Sequence, residues 1–196
     1  MAQGPSVLMG QRGAKAAFMP SKYVFPGGAV DAGDADVAFA RPLADPVRAA
    51  LARRARTAPE ALAGAALREL AEETGQVIAG PGPGCAWPGF ADRAPDAHPL
   101  RFVFRAITPP GRPRRFDARF FLAPAAALAS DPDDFEAAED ELSHLHWVPL
   151  AEARSLDMPF ITEVVLAEVA AIAEGAEAAG VPFFDNSGET SVFHRL

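Results

Sequence analysis

The sequence predicts an α/β fold in which helices cover a sheet. Runs rich in β-branched and aromatic residues alternate along the chain with stretches of helical spacing. Two phenylalanine-rich runs, LRFVFRAIT and RRFDARFFLA, are joined by the turn PPGRP, which implies an antiparallel hairpin. With 196 residues, 49% of them apolar, the chain is long enough to bury a substantial core, and residues 1–196 read as one domain.

Taken in order, SVLM (residues 6–9) is a short strand, and YVF (23–25) is a second apolar run that ends at Pro26-Gly27-Gly28. Two glycines behind a strand let the backbone take positive φ and approach a ligand closely. DPVRAALARRAR (45–56) has the spacing of a short helix, inside a mixed-charge segment spanning about 35–64. Thr57-Ala58-Pro59-Glu60 then has the T-x-x-E form of a capping box, with proline in the first turn, where a missing N–H does no harm. The helix begun there carries Leu62, Ala65, Ala66 and Leu70 on one side and stops at Gly75, a natural terminator. GPGPGCAWPG is a loop, the phenylalanine hairpin follows, and residues 131–140 form an acidic loop. LSHLHWVPL is a further strand, MPFITEVVLAEVAAIAEG a long helix, and VPFFDNSGETSVFHRL a last extended segment.

Charge and cysteine content exclude several classes of function. A formal net charge of −8 repels nucleic acid, so any polyanion must be met by a local basic patch or by bound cations. Cys85 is the single cysteine, which forbids an intrachain disulfide and fits a reducing cytoplasm. No apolar run approaches the roughly 18–20 residues of a membrane span, and the first residues lack a signal-peptide core. A cytoplasmic location without a membrane partner is the expectation.

The most informative stretch is AALRELAEETG, residues 65–75. Glu69, Glu72 and Glu73 crowd the carbonyl end of a helix, where each carboxylate is unfavourable by about 0.3–1 kcal/mol. At roughly 100° per residue all three share one face. Taken alone, this is an ordinary solvated acidic face. Beside the Gly27-Gly28 turn, with Asp31 and Asp34 just past it, the same oxygens suit a hard divalent cation such as Mg²⁺ or Mn²⁺.

These residues resemble the Nudix box, G-x5-E-x7-R-E-U-x-E-E-x-G-U, where U is a bulky aliphatic residue. Gly28 begins it, Asp34 stands at the first glutamate, and Arg68-Glu69-Leu70-Ala71-Glu72-Glu73-Thr74-Gly75 matches its second half. The chain departs from the pattern in three places: 33 residues separate Asp34 from Arg68 where the family has seven, aspartate replaces the first glutamate, and Gln76 fills the final aliphatic position. VLMGQRG, FMPSKYVFPGGAVDAGD, ITPPGRPRRFDARFFLA and HWVPLAEA together are similar to a Nudix subgroup with a long insertion inside its box, whose mammalian members include coenzyme A diphosphatases.

The resemblance implies a Nudix-type α/β/α sandwich, with a mixed β-sheet between helices and an inserted helical segment at about 35–64. It implies Mg²⁺ or Mn²⁺ held by Glu69, Glu72, Glu73 and the backbone of Gly28, with Arg68 orienting a glutamate. The general base is either a box glutamate, such as Glu73, or an acid from a later loop, where Glu141 competes with Glu139 and Asp140. The substrate it implies is a small nucleoside diphosphate linked to another group, coenzyme A or its acyl derivatives among them. A Nudix-fold binding or regulatory protein is the alternative, although such members usually lose box glutamates and all three are present here. The insertion suits a lid, a specificity loop or a homodimer contact.

Arg12, Arg112, Arg114, Arg115 and Arg119 are candidates for gripping phosphate oxygens, although Arg119 shares a strand face with Asp117, where an ion pair is the better reading, and solubility explains Arg112, Arg114 and Arg115 equally well. His144 and His146 alternate on one strand but lack a third ligand at fixed spacing, so packing is the simpler reading.

Overall fold

The computed structural model describes residues 4–14, 19–176 and 179–196. Along the chain lie β1 (Ser6–Arg12), β2 (Tyr23–Val24), α1 (Asp45–Ala52), α2 (Pro59–Thr74), β3 (Ala79–Gly80), β4 (Ala94–Pro95) and β5 (Arg101–Ile107). They are followed by β6 (Asp117–Leu122), β7 (Leu142–Pro149), α3 (Leu150–Ala153), α4 (Phe160–Ala173), β8 (Pro182–Asp185) and β9 (Val192–Arg195). The expected mixed sheet is four-stranded, in the order β6-β5-β8-β9, with β5 and β8 parallel and the other pairs antiparallel. A separate antiparallel sheet, β2-β1-β7, lies alongside, and β3 pairs with β4.

Helices cover both faces of the four-stranded sheet. On one side Leu51 of α1 and Leu62 and Leu67 of α2 pack against Phe102 and Phe183. On the other, Val165 and Val169 of α4 pack against Phe104 and Ala106. Each fully buried ring or branched side chain contributes about 1.5–3 kcal/mol. Phe102 and Phe104 are two residues apart yet face opposite layers, because the register against β6 slips between them. This β-bulge adds one residue to β5 and so reverses the face beyond it.

Several local expectations need correction. The helix expected over 45–56 stops at Ala52: Arg53 is extended and Arg54 has φ 52. Thr57 does not cap α2. Pro59 drives Ala58 into an extended conformation and makes it the N-cap, leaving Thr57 one residue too early, while Glu60 accepts a hydrogen bond from Arg48 Nε at 2.6 Å. The C-terminal segment, expected as one extended piece, folds back on itself as β8 and β9. The histidine alternation breaks at His144, which takes φ 52 at an irregularity between β1 and β7. His146 instead sets its ring edge-on to Tyr23.

Candidate active site

α2 runs straight into the glutamate cluster, and Gly75 ends it at φ 71, its N–H donating to the carbonyl of Ala71. The acidic loop closes over that end. Glu139 N–H donates to the carbonyl of Glu72 at 2.8 Å, satisfying one of the acceptors a helix terminus leaves open. Gln76, the departure from the box, is fully buried. Its Nε2 donates to the carbonyls of Asp131 and Asp134, and its Oε1 accepts from Ser130 Oγ. An aliphatic residue there would leave those carbonyls without this donor.

Arg68 is the centre of the site. Its Nε and Nη2 donate to both oxygens of Asp34 at 2.8 and 3.1 Å, and Nη2 also reaches the carbonyl of Ala29 at 2.9 Å. Its Nη1 bridges Glu69 at 2.8 Å and Glu72 at 2.7 Å. Asp34 is 1% exposed and also accepts the N–H of Asp31, so its carboxylate anchors the glycine loop. That engagement with Arg68 argues against the ligand role expected for Asp34, and the carboxylate of Asp31 is 71% exposed and 3.7 Å from Arg68. The guanidinium is held firmly protonated, first by its hydrogen bonds to Asp34 and then by Glu69.

Glu73 sits deepest of the three glutamates, at 2% exposure. Its Oε2 accepts the N–H of Gly27 at 2.7 Å, where Gly27 takes φ 151, a conformation side chains rarely adopt. Burial pushes the Glu73 carboxyl up to about 7. The Gly27 hydrogen bond opposes this, while the charges of Glu141 and Glu69 add to it. Glu69 is also raised, by burial first, against the pull of Arg68. Gly28 is packed so closely that a Cβ there would lie 2.4 Å from Glu69 Oε1. A side chain there would push the Glu69 carboxylate aside.

Glu141, just before β7, is brought within electrostatic reach of Glu69 and Glu73, and its Oε1 accepts from Arg12 Nη2 at 3.0 Å. Arg119 lies elsewhere, on β6, with its side chain 5% exposed and 3.0 Å from Asp117, the ion pair its spacing allowed. Arg112 and Arg114 are exposed in the hairpin loop. Gly27, Gly28, Arg12, Glu141 and Arg119 all line one cleft of about 1810 Å³.

Among the described residues no three acidic or histidine side chains stand ready-made as a metal cage. Arg68 engages Glu69 and Glu72, and Gly27 engages Glu73. The donor chemistry nevertheless fits a hard divalent cation: three carboxylates and a glycine backbone crowd together, and burial raises two of those carboxyls despite the arginines nearby. One guanidinium against Asp34, Glu69, Glu72 and Glu73 leaves the negative excess a cation would offset.

Two positioning roles were not read from the sequence: that of Gly64, and that of Gln76, which was noted only as a departure from the box. Gly64, midway along α2, lets the carbonyl of Asp34 approach to 2.2 Å from where a Cβ would stand. Gln76 ties down the acidic loop. A glycine inside a strong helix pattern was the available signal for the first; a polar residue at an aliphatic motif position was the signal for the second.

No family model matches the chain, and neither does any curated protein. Among solved structures, a NUDIX hydrolase from Alicyclobacillus acidocaldarius is similar, with 32% identity, a TM-score of 0.63, and coverage of 89% of this chain and 90% of that one. Similarity of that extent, joined to the R-E-L-x-E-E-x-G run wrapped around its glycine turn, places the chain in the Nudix hydrolase family, as a hydrolase of phosphoric anhydrides.

Proposed function

We propose that the enzyme cleaves the pyrophosphate bond of a nucleoside diphosphate linked to another group, with coenzyme A or an acyl derivative as the favoured substrate and Mg²⁺ or Mn²⁺ as cofactor. The observation that carries this reading is the Arg68 network, which gathers Glu69 and Glu72 beside a Glu73 seated on the Gly27 N–H. The subgroup motifs, rather than the geometry, favour coenzyme A. A small-molecule substrate and a cytoplasmic setting belong to the same proposal. No helix among the described residues is long and apolar enough to cross a membrane.

Glu69, Glu72, Glu73 and the backbone of Gly28 would hold a divalent cation, which would supply charge neutralisation for the diphosphate oxygens and a more acidic water. Arg68 fixes the rotamers of Glu69 and Glu72 through charge-assisted bonds, so their oxygens are in place before substrate arrives. Glu73 Oε1, the oxygen not engaged by Gly27, would take the proton of the attacking water. Glu141 is the second candidate base, with Arg12 orienting its Oε1.

The test is hydrolysis of a panel of nucleoside diphosphate derivatives with Mg²⁺ or Mn²⁺, with products identified. Glu73→Gln is expected to lose about 10²–10⁴-fold in kcat while remaining folded. Normal turnover by that variant refutes the assignment.

A further inference from the structure

Away from the glutamates, the sheet face that looks toward the inserted segment carries a second cluster whose charges do not balance. Arg105 of β5 and Arg119 of β6 are direct cross-strand partners, with side chains 4% and 5% exposed. Like charges placed opposite each other weaken a strand pair. Both lean on one carboxylate: Arg105 Nε and Nη2 each donate to Asp117 at 2.8 Å, and Arg119 Nη1 lies 3.0 Å from it. Burial lowers the Arg119 pKa despite that contact. Arg115 adds a third guanidinium, donating only to the carbonyls of Thr108 at 3.1 Å and Asn186 at 3.4 Å. Arg54, from the insertion, lies over the ring of Phe183 with Asp185 at 3.5 Å.

Four guanidiniums therefore meet two carboxylates, in a protein whose net charge is −8. A structural ion pair needs one cation per acid; here the buried Arg105 and Arg119 share the single carboxylate of Asp117, and the exposed Arg54 and Arg115 add further positive charge beside them. The cluster is also built rather than incidental. Arg105 donates to the carbonyls of Arg53 and Arg54 at 3.3 and 3.0 Å and stacks on Phe183 at 4.3 Å, pinning the insertion to the sheet just where Arg54 takes its left-handed backbone. All four arginines line the same cleft as Gly27 and Gly28.

We propose that Arg54, Arg105, Arg115 and Arg119 form a second anion site, which takes a phosphomonoester of the substrate beyond the scissile anhydride. Planar guanidinium forks match phosphate oxygens in pairs, and the incoming charge supplies the counter-ion that Asp117 and Asp185 fall short of. The insertion then acts in specificity, contributing Arg54. This deepens the reading of the cleft as a diphosphate hydrolase site and rests on it.

Two measurements test it. In metal-free protein, inorganic phosphate at constant ionic strength is expected to raise Tm for the wild type and for Glu73→Gln, and to lose most of that effect in Arg54→Ala and Arg119→Gln. An unchanged phosphate effect in both arginine variants, or none in the wild type, overturns the proposal. In kinetics, paired substrates that differ by one phosphomonoester are compared: coenzyme A with dephospho-coenzyme A, and NADPH with NADH. Arg54→Ala is expected to shrink the kcat/KM advantage of the phosphorylated member by roughly tenfold, through KM, the scale of one charge-assisted hydrogen bond. Equal losses on both members of each pair overturn it. Should Arg119→Gln fail to fold, the exposed Arg54 decides the matter. Should the wild type cleave none of the pairs, the hydrolase reading fails for these substrates, and the phosphate titration still decides the anion site.

Discussion

The guanidinium of Arg68 divides itself among Asp34, Glu69, Glu72 and the carbonyl of Ala29, so removing it strands a carboxylate that is 1% exposed. Breaking a buried pair from one side costs about 3–5 kcal/mol. Arg68→Met is expected to lower the free energy of unfolding by that amount in a urea titration. Lysine at this position restores little, because a single ammonium cannot span three acids and a carbonyl. Glu73 makes the matching prediction about pH. Its carboxyl has an ordinary value of 4.5 and is raised to about 7 in the fold, so the folded chain holds the extra proton between those limits. The stability it contributes is full below about pH 4.5 and is lost as pH rises through about 7. Metal-free protein should therefore show a Tm that falls across this window; Glu73→Gln should flatten the slope, and saturating Mg²⁺ should lift the neutral end.

At the scale of the element, α2 works as a ruler with fittings at three levels. Pro59 starts it, Gly64 admits the loop that carries Asp34, and Gly75 ends it under the acidic loop. Helix propensity alone makes Gly64→Ala stabilising by about 0.8–1.0 kcal/mol. The 2.2 Å approach of the Asp34 carbonyl reverses that sign, since displacing backbone typically costs about 1–3 kcal/mol and here also pulls Asp34 off Arg68. A denaturation midpoint for Gly64→Ala at or above the wild type would contradict this account. Gln76→Leu restores the aliphatic residue of the family pattern and removes the donor for two loop carbonyls. It is expected to leave α2 intact while raising hydrogen exchange across 131–140 and lowering kcat, as the segment bearing Glu139 and Glu141 loosens.

For the molecule as a whole, what the sequence revealed depended on how local the signal was. The box glutamates, Arg68 and the glycine turn were legible because their chemistry is written in contiguous residues. The layered architecture followed from the alternation of strand-like and helical runs. The anchoring role of Asp34 was not legible, because it depends on Arg68 reaching back across 33 residues of intervening chain. The T-x-x-E pattern misled, since the proline that suits a first helical turn also shifts the N-cap by one residue. The arginine cluster came from two strands and two loops, and alternation exposed only the Asp117–Arg119 pairing within it. The slip in β5 was likewise silent in sequence, yet it governs how the chain tolerates a change of length. Deleting Val103 would leave the rings of Phe102 and Phe104 on their present sides, because that residue is the supernumerary one. Deleting Phe104 instead would relieve the slip too and leave Arg105 opposite Arg119, but it would put the smaller Val103 where a ring now fills the layer beneath α4.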